Sequence, residues 1–346
     1  MLHVISRRHF LTYAPAVFSI AAWLKAAAAS PAAGIIMTVN GPIRPSELGV
    51  TLPHEHVLVD FIGADKVSPN RYDEHEAYRI ILPHLLSLRE KGCRSLIECT
   101  PNFLGRNPRL LQRLSLAAGL HLITNTGLYG AAAHKYLPAY VQQETPEQLA
   151  GRWVAEWKNG IGDTGIKPGF IKSGMDKGPL SPLQRKLVTA AALTWRQTGL
   201  PIGIHTGDGA AAQEEAAILK EMKVPLSAWI WIHAQNEKDL AIHDQLAGAG
   251  AWVSLDGLSK ENAQDYITRL TRLKQHGFLQ QTLISHDAGW YNVGQPGGGQ
   301  FRNYNYLLTA FVPLLKQHGF TEADIRMLTV ENPARAFTIQ PQPAGV

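Results

Sequence analysis

The chain has 346 residues, with 45% hydrophobic and 18% charged side chains and a formal net charge of +5. That balance supports a large core and excludes a disordered chain. Three of the positive charges, Arg7, Arg8 and Lys25, lie in the first 29 residues, which hold no acid; the body is therefore near neutral, and charge offers no case for nucleic-acid binding.

Residues 1–29 contain the twin-arginine pair Arg7-Arg8, then Phe10-Leu11, an apolar stretch to Leu24 and the small residues Ala27-Ala28-Ala29. A charged start, a short apolar run and an A-x-A-like end predict an export signal. It resembles a twin-arginine signal, with cleavage after Ala29 or Ala33 and a mature domain over 34–346. The expected location is the periplasm. The apolar run is too short to span a bilayer comfortably, so no stable membrane association is expected once the signal is removed. Cys93 and Cys99, if they share one strand, lie too far apart to bridge.

After the signal, eight short β-rich runs alternate with amphipathic segments. The runs are 49–61, 94–101, 121–130, 169–174, 200–209, 228–236, 250–257 and 281–289. Segments 75–92, 181–199 and 237–250 read as helices between them. Alternating strands and helices imply βα units and a parallel sheet, and eight repeats predict a single (β/α)8 TIM barrel. An open doubly wound sheet is the alternative, weakened because no G-x-G-x-x-G follows the first strand. Segment 292–305, rich in Gly and Pro, reads as a flexible loop on the catalytic face. Thr321 reads as an N-cap, and Asn332-Pro333 as a cap and first-turn proline.

The polar residues on these runs carry the functional argument. His54 and His56 sit on the first, Lys172 on the fourth, His205 on the fifth, His233 on the sixth and Asp287 on the eighth. Each lies near the C-terminal end of its run, where a barrel builds its active site. Side chains two apart on a strand share a face, so His54 and His56 point inward together and Glu55 points outward. Four histidines and a carboxylate at one mouth predict a divalent-metal site, with zinc favoured and cobalt, manganese or iron as alternatives. Lys172 either pairs with Asp176 or solvent, or reacts as a neutral amine with CO₂. The resulting carbamate would bridge one ion on His54, His56 and Asp287 to a second on His205 and His233. Glu98 is expected to point inward and hydrogen-bond a ligand.

The stretches L-P-H-E-H, F-I-K-S-G, I-H-T-G, W-I-H-A-Q-N, S-H-D and E-N-P-A-R resemble the phosphotriesterase-related family of the amidohydrolase superfamily, over about residues 38–339. The resemblance implies a (β/α)8 barrel with a binuclear centre at the C-terminal face of the strands, bridged by a carboxylated lysine and a hydroxide. It implies hydrolysis of an ester, lactone or phosphotriester, with Asp287 taking the proton of the nucleophile. A homodimer is implied by the same analogy, and the expected partner is a small-molecule substrate. Asn236 stands where phosphotriesterases of the family carry an aspartate, and Gly257 where others carry histidine or arginine. An amidohydrolase acting on an N-acyl compound therefore stays open as the alternative. Tyr129 matches a lactonase-like position. Trp290 and Tyr291 are expected to wall the leaving-group side, and Asp256 to be structural or to face substrate.

Overall fold

Each predicted β-rich run contributes a strand to the structure, a computed structural model that describes residues 34–340. The export signal read in residues 1–29 lies outside them. The strands are Thr51–Val59, Ser95–Glu98, His121–Ile123 with Asn125–Thr126, Phe170–Gly174, Ile202–His205, Trp229–Ile232, Trp252–Leu255 and Thr282–Ile284, and all their pairings are parallel. They form two arcs. One runs from Asn125–Thr126 through the fourth to the eighth strand; the other joins the first three. A short hairpin, Ile36–Thr38 with Gly41–Ile43, precedes them.

The eighth run meets the first through the residues that follow it. The Asp287 N–H donates to the His54 carbonyl at 3.2 Å, and the His56 N–H donates to the Ala288 carbonyl at 2.9 Å. Gly289–Asn292 then pairs in parallel with the first strand, Gly289 opposite His56 and Asn292 opposite Val59. Segment 292–305, expected to be a loose loop, thus begins in this added strand. It is tied down again by Tyr304, fully buried, whose hydroxyl donates to the His56 carbonyl at 2.7 Å.

Two apolar layers hold the strands. Ile97, Ile123, Phe170, Ile230, Ile232 and Leu283 form a buried cluster with Ile36, Leu48 and Phe337. The alternate residues, such as Leu52, Leu96, Leu122, Ile171 and Ile204, pack in a larger cluster with helix residues including Ile81, Leu114 and Leu187. This is the period-two division expected of strands covered on both faces. The helices start where the sequence supplies acceptors for free N–H groups. Asp73 caps Glu74–Glu90, Asn107 caps Pro108–Ala118, and Thr145 and Ser181 form capping boxes with Gln148 and Gln184. Thr321 caps Glu322–Arg326 as expected. Asn332 does not act as a cap. Its chain arrives already helical, and its side-chain amide donates instead to the carbonyls of Leu279 and Thr282, at 2.8 and 2.7 Å, tying the last helix to the eighth strand. Both cysteines are free and buried. Among the described residues, no helix is long and apolar enough to cross a membrane.

Behind the fifth strand lies a buried carboxyl group, Glu215, on the helix Gly209–Glu221. Burial holds it well above the ordinary carboxylate range. The Thr206 hydroxyl lies 3.0 Å from both the Ile204 carbonyl and Glu215 Oε2, and Glu215 Oε1 has no partner. A protonated Glu215 satisfies this arrangement: its O–H donates to Thr206, which donates to Ile204. A raised folded pKa means the unfolded chain ionises first as pH rises, so this group weakens the fold from the ordinary carboxylate range upward. The Glu215→Gln variant is neutral in both states. Its melting temperature relative to the parent should climb steadily from pH 5 to pH 8; a difference that stays flat with pH would show that Glu215 ionises normally.

Candidate metal centre

His54 and His56 both lie inside the first strand and are buried. Each has one ring nitrogen tied down behind the site. His54 Nδ1 lies 3.1 Å from Asp256 Oδ2, and His56 Nδ1 lies 2.7 Å from the Thr100 hydroxyl. His233 follows the same rule, with Nδ1 at 2.5 Å from Asp256 Oδ1. One carboxylate thus fixes the rings of His54 and His233, and an acceptor on Nδ1 leaves Nε2 with a lone pair facing forward. Burial opposes ionisation of Asp256, but His233 and His54 outweigh it and hold the carboxyl well below its usual range. Asp256 is fully buried, so the expectation that it faces substrate is corrected. The Gln235 amide also bonds it, accepting from its N–H at 3.1 Å and donating to Oδ1 at 3.3 Å.

Asp287 reaches the same point from the eighth run. Its Oδ1 lies 3.1 Å from His56 Nε2 and 3.6 Å from His54 Nε2. Both Asp287 Oδ1 and His54 Nε2 are buried without a hydrogen-bond partner. The backbone is unusual here: φ is 63° at His233, 54° at Asp287 and 74° at Trp290, all non-glycine residues in the left-handed region. Such conformations cost about 1–3 kcal/mol each and persist where surrounding bonds impose them. Those bonds are visible. Both oxygens of Asp256 accept the His233 N–H, at 3.0 and 3.3 Å.

At Asp287 the constraint comes from Glu55, the residue read as pointing outward. It does point away from the histidines, but into protein. Its carboxylate accepts from the Ser285 hydroxyl and His286 Nδ1 at 2.7 Å, from the His286 N–H at 3.0 Å and from the Ala288 N–H at 2.7 Å. His286 Nε2 accepts the Leu307 N–H at 2.8 Å, so its proton sits on Nδ1 and is donated to Glu55. Glu55 and His286 together fold the chain around Asp287. Glu98, expected to bond a ligand directly, is buried and accepts instead from the N–H groups of Val57 and Thr100, both at 3.2 Å. It reaches His56 only through Thr100.

Lys172 is buried, and no carboxylate lies within ion-pair distance of it among the described residues; its Nζ lies 5.4 Å from the Tyr129 ring centroid. Burial lowers its pKa, as desolvation of an unpaired ammonium must. The pairing with Asp176 is corrected, because Asp176 accepts from the N–H groups of Ala132 and Ala133 and from Gln184. Gly127 allows the third strand to pass Lys172: with φ of 114°, any Cβ there would sit 2.2 Å from the Lys172 carbonyl. His205 lies opposite, its pKa held well below the ordinary range by burial and then by His233 and Lys172.

All six predicted ligands line one cavity of about 230 Å³. Eight rings close around it. Centroid separations run His54–His56 5.4 Å, His56–Trp290 5.7 Å, Trp290–Phe61 5.3 Å, Phe61–Tyr136 6.3 Å, Tyr136–Tyr129 5.8 Å, Tyr129–His205 5.1 Å, His205–His233 4.4 Å and His233–His54 5.0 Å. Tyr129 and Trp290 line this cavity. Tyr291 does not: it is buried on the other side, 6.4 Å from Tyr72. Phe61 and Tyr136 complete the wall, and nothing in their local sequence distinguishes them from core residues.

The donor set fits a divalent ion. His54, His56 and Asp287 offer ligand atoms within 4.8 Å of one another, as do His54, His233 and Asp256. The second group is already satisfied by hydrogen bonds; the first holds two orphaned atoms, and only it matches the predicted ligands. A histidine and carboxylate cluster at the C-terminal side of parallel strands is an arrangement that could hold a divalent metal ion. The phosphotriesterase family model matches residues 34–337. The phosphotriesterase homology protein of Escherichia coli is 32% identical, covering 84% of this chain and 98% of its own. The N-acetyltaurine hydrolase of Bos taurus is 27% identical over 90% of this chain and all of its own length. A solved organophosphorus hydrolase from Deinococcus radiodurans superposes with a TM-score of 0.79 at 27% identity, covering 88% of this chain and 96% of that one. The chain belongs to the phosphotriesterase family and is a hydrolase of that type.

Proposed function

We propose that the chain is a metal-dependent hydrolase of an ester, lactone or phosphotriester bond. Its two arcs close into one (β/α)8 barrel. Two divalent ions, zinc in the first instance, would be held by His54, His56 and Asp287 and by His205 and His233, with a carboxylated Lys172 as a further ligand. When bound, such a pair supplies hydroxide at neutral pH and an electrophile for the oxygen of the scissile group. The chain's own residues do the rest. Asp256 and Thr100 fix the imidazoles, Asp287 takes the proton of the hydroxide as it attacks, and the aromatic wall limits access of bulk solvent. Burial pushes the Tyr129 hydroxyl far up, so it stays protonated and able to donate to a substrate oxygen. On the twin-arginine-like start, we propose a periplasmic enzyme acting on a small molecule.

The observation that carries this reading is the pair of orphaned atoms, His54 Nε2 and Asp287 Oδ1, 3.6 Å apart in the lining of one cavity. A second reading, hydrolysis of an N-acyl compound, is favoured by the N-acetyltaurine hydrolase among the relatives. Protein purified from zinc-supplemented medium should carry about two equivalents of divalent metal. It should turn over at least one of an aryl phosphotriester, a γ- or δ-lactone and an aryl ester. Turnover of N-acyl amino acids alone would select the second reading. Less than one equivalent of metal with no turnover would overturn both.

A further inference from the structure

The charges around the cavity are unevenly placed. Inside it the only basic side chain besides the histidines is Lys172. Two of the four aromatic rings that line it carry an exposed cation, which itself lies outside the lining. Arg302 Cζ lies 4.6 Å from the centroid of Trp290, and Lys135 Nζ lies 5.5 Å from that of Tyr136. Phe61 stands between these two rings, so the cations flank one stretch of the wall.

Neither cation has a carboxylate within ion-pair distance among the described residues. Other cations on the described chain are paired, as Arg71 is with Asp60 at 2.6 Å and Arg106 with Glu156 at 2.7 Å. Yet both are held in place. Arg302 exchanges two backbone hydrogen bonds with Gly289, each 2.9 Å, and its guanidinium donates to the Asp287 carbonyl. It therefore stands one peptide from a proposed ligand. The Lys135 carbonyl accepts from Ala64 at 3.1 Å, and its stem lies across Gly63, where an added Cβ would meet Cγ at 3.5 Å. A guanidinium has five N–H donors, and this one has no acceptor but the Asp287 carbonyl among the described residues.

We propose that Arg302 and Lys135 form a recognition rim for an acidic group on the substrate, distal to the bond that is cleaved. The scissile group enters toward Asp287, an apolar body fills the space between Phe61, Tyr136 and Trp290, and a carboxylate emerges at the rim. The inference rests on the hydrolase reading of the site and narrows its substrate class to amphiphilic acids.

The test uses the zinc-loaded full chain and two matched substrates: an aryl monoester of glutaric acid with a free distal carboxylate, and its distal methyl ester. The parent should prefer the acid by about tenfold in kcat/KM, carried in KM, since a charge-assisted hydrogen bond supplies that much. Arg302→Gln and Lys135→Gln should each lower the acid-to-ester ratio severalfold, and Arg302→Lys should retain part of it. Salt near 1 M, where the Debye length falls to about 3 Å, should shrink the preference. Equal use of both substrates by the parent, or a ratio unmoved by either variant, would overturn the inference while leaving the hydrolase reading intact. Calorimetric binding of monomethyl glutarate against dimethyl glutarate, on the same variants, decides the inference even if neither ester turns over; that double failure would count against the ester reading alone.

Discussion

Replacing Lys172 by methionine should lower activity roughly a thousandfold or more and, in metal-free protein, raise the melting temperature. Both effects follow from where the amine sits. Lys172 is 2% exposed and has no carboxylate partner among the described residues. An unpaired ammonium in such a place costs several kcal/mol, so the residue is retained against stability. A neutral amine is also the form that reacts with CO₂, and the carbamate turns a repelled cation into an anionic oxygen donor. Without it, the two proposed ions would lose a ligand and the charge stabilisation worth several kcal/mol that metal centres provide, a fall of roughly a thousandfold or more in kcat/KM. Metal analysis of the variant should show well under two equivalents. Methionine has similar length and no charge, so the metal-free fold gains what desolvation had cost. A Lys172→Met protein with parental metal content and activity would remove the carbamate from the account. Loss of activity accompanied by a lower metal-free melting temperature would mean that the lysine is structural.

The second large effect is at Asp256. This carboxylate is fully buried and bonded to the rings of His54 and His233 and to the His233 N–H. Asparagine is nearly isosteric but offers one acceptor oxygen where two Nδ1–H groups need one each, and its NH₂ would face an N–H. Leaving a buried imidazole N–H without its acceptor costs about 1–3 kcal/mol, and more when the lost acceptor was charged. Losing an outer partner of a metal-bound histidine typically lowers metal affinity about 10–100-fold, and here two histidines are released at once. Asp256→Asn should therefore melt several degrees lower and lose metal in a chelator titration well before the parent. The sign with pH is set by the depressed pKa: the stabilisation is present above the ordinary carboxylate range and is lost as pH falls through the folded value. The stability gap between parent and variant should thus narrow in acid. A gap that is constant with pH, or parental metal retention, would show that the pairing is incidental.

Lys172, His205 and His233 were readable as polar residues at or near the end of an apolar run, His54 and His56 because a spacing of two puts both on one face of the first strand, and Asp287 because it follows the eighth. What supports them was not. Glu55 and His286 are separated by 231 residues in the chain and meet only because the first and eighth strands do. Thr100 looks like an ordinary turn residue until the His56 ring is seen beside it. The misplacement of Tyr291 has a local cause. Read as loop residues, Trp290 and Tyr291 share one wall, whereas Gly289–Asn292 forms a strand in which neighbours alternate, so Trp290 faces the cavity and Tyr291 the interior. Asn332 was read as a cap because of the proline after it, whereas its amide serves two strand carbonyls that no local pattern reveals.

The central claim is that two ions share this cavity with a modified lysine between them. Anomalous diffraction at the zinc edge, on crystals of zinc-loaded protein, addresses it directly. The account predicts two peaks about 3.5–4 Å apart, one beside His54, His56 and Asp287 and one beside His205 and His233, with density extending beyond Lys172 Nζ. A single peak, or two peaks with an unmodified Lys172, would contradict it.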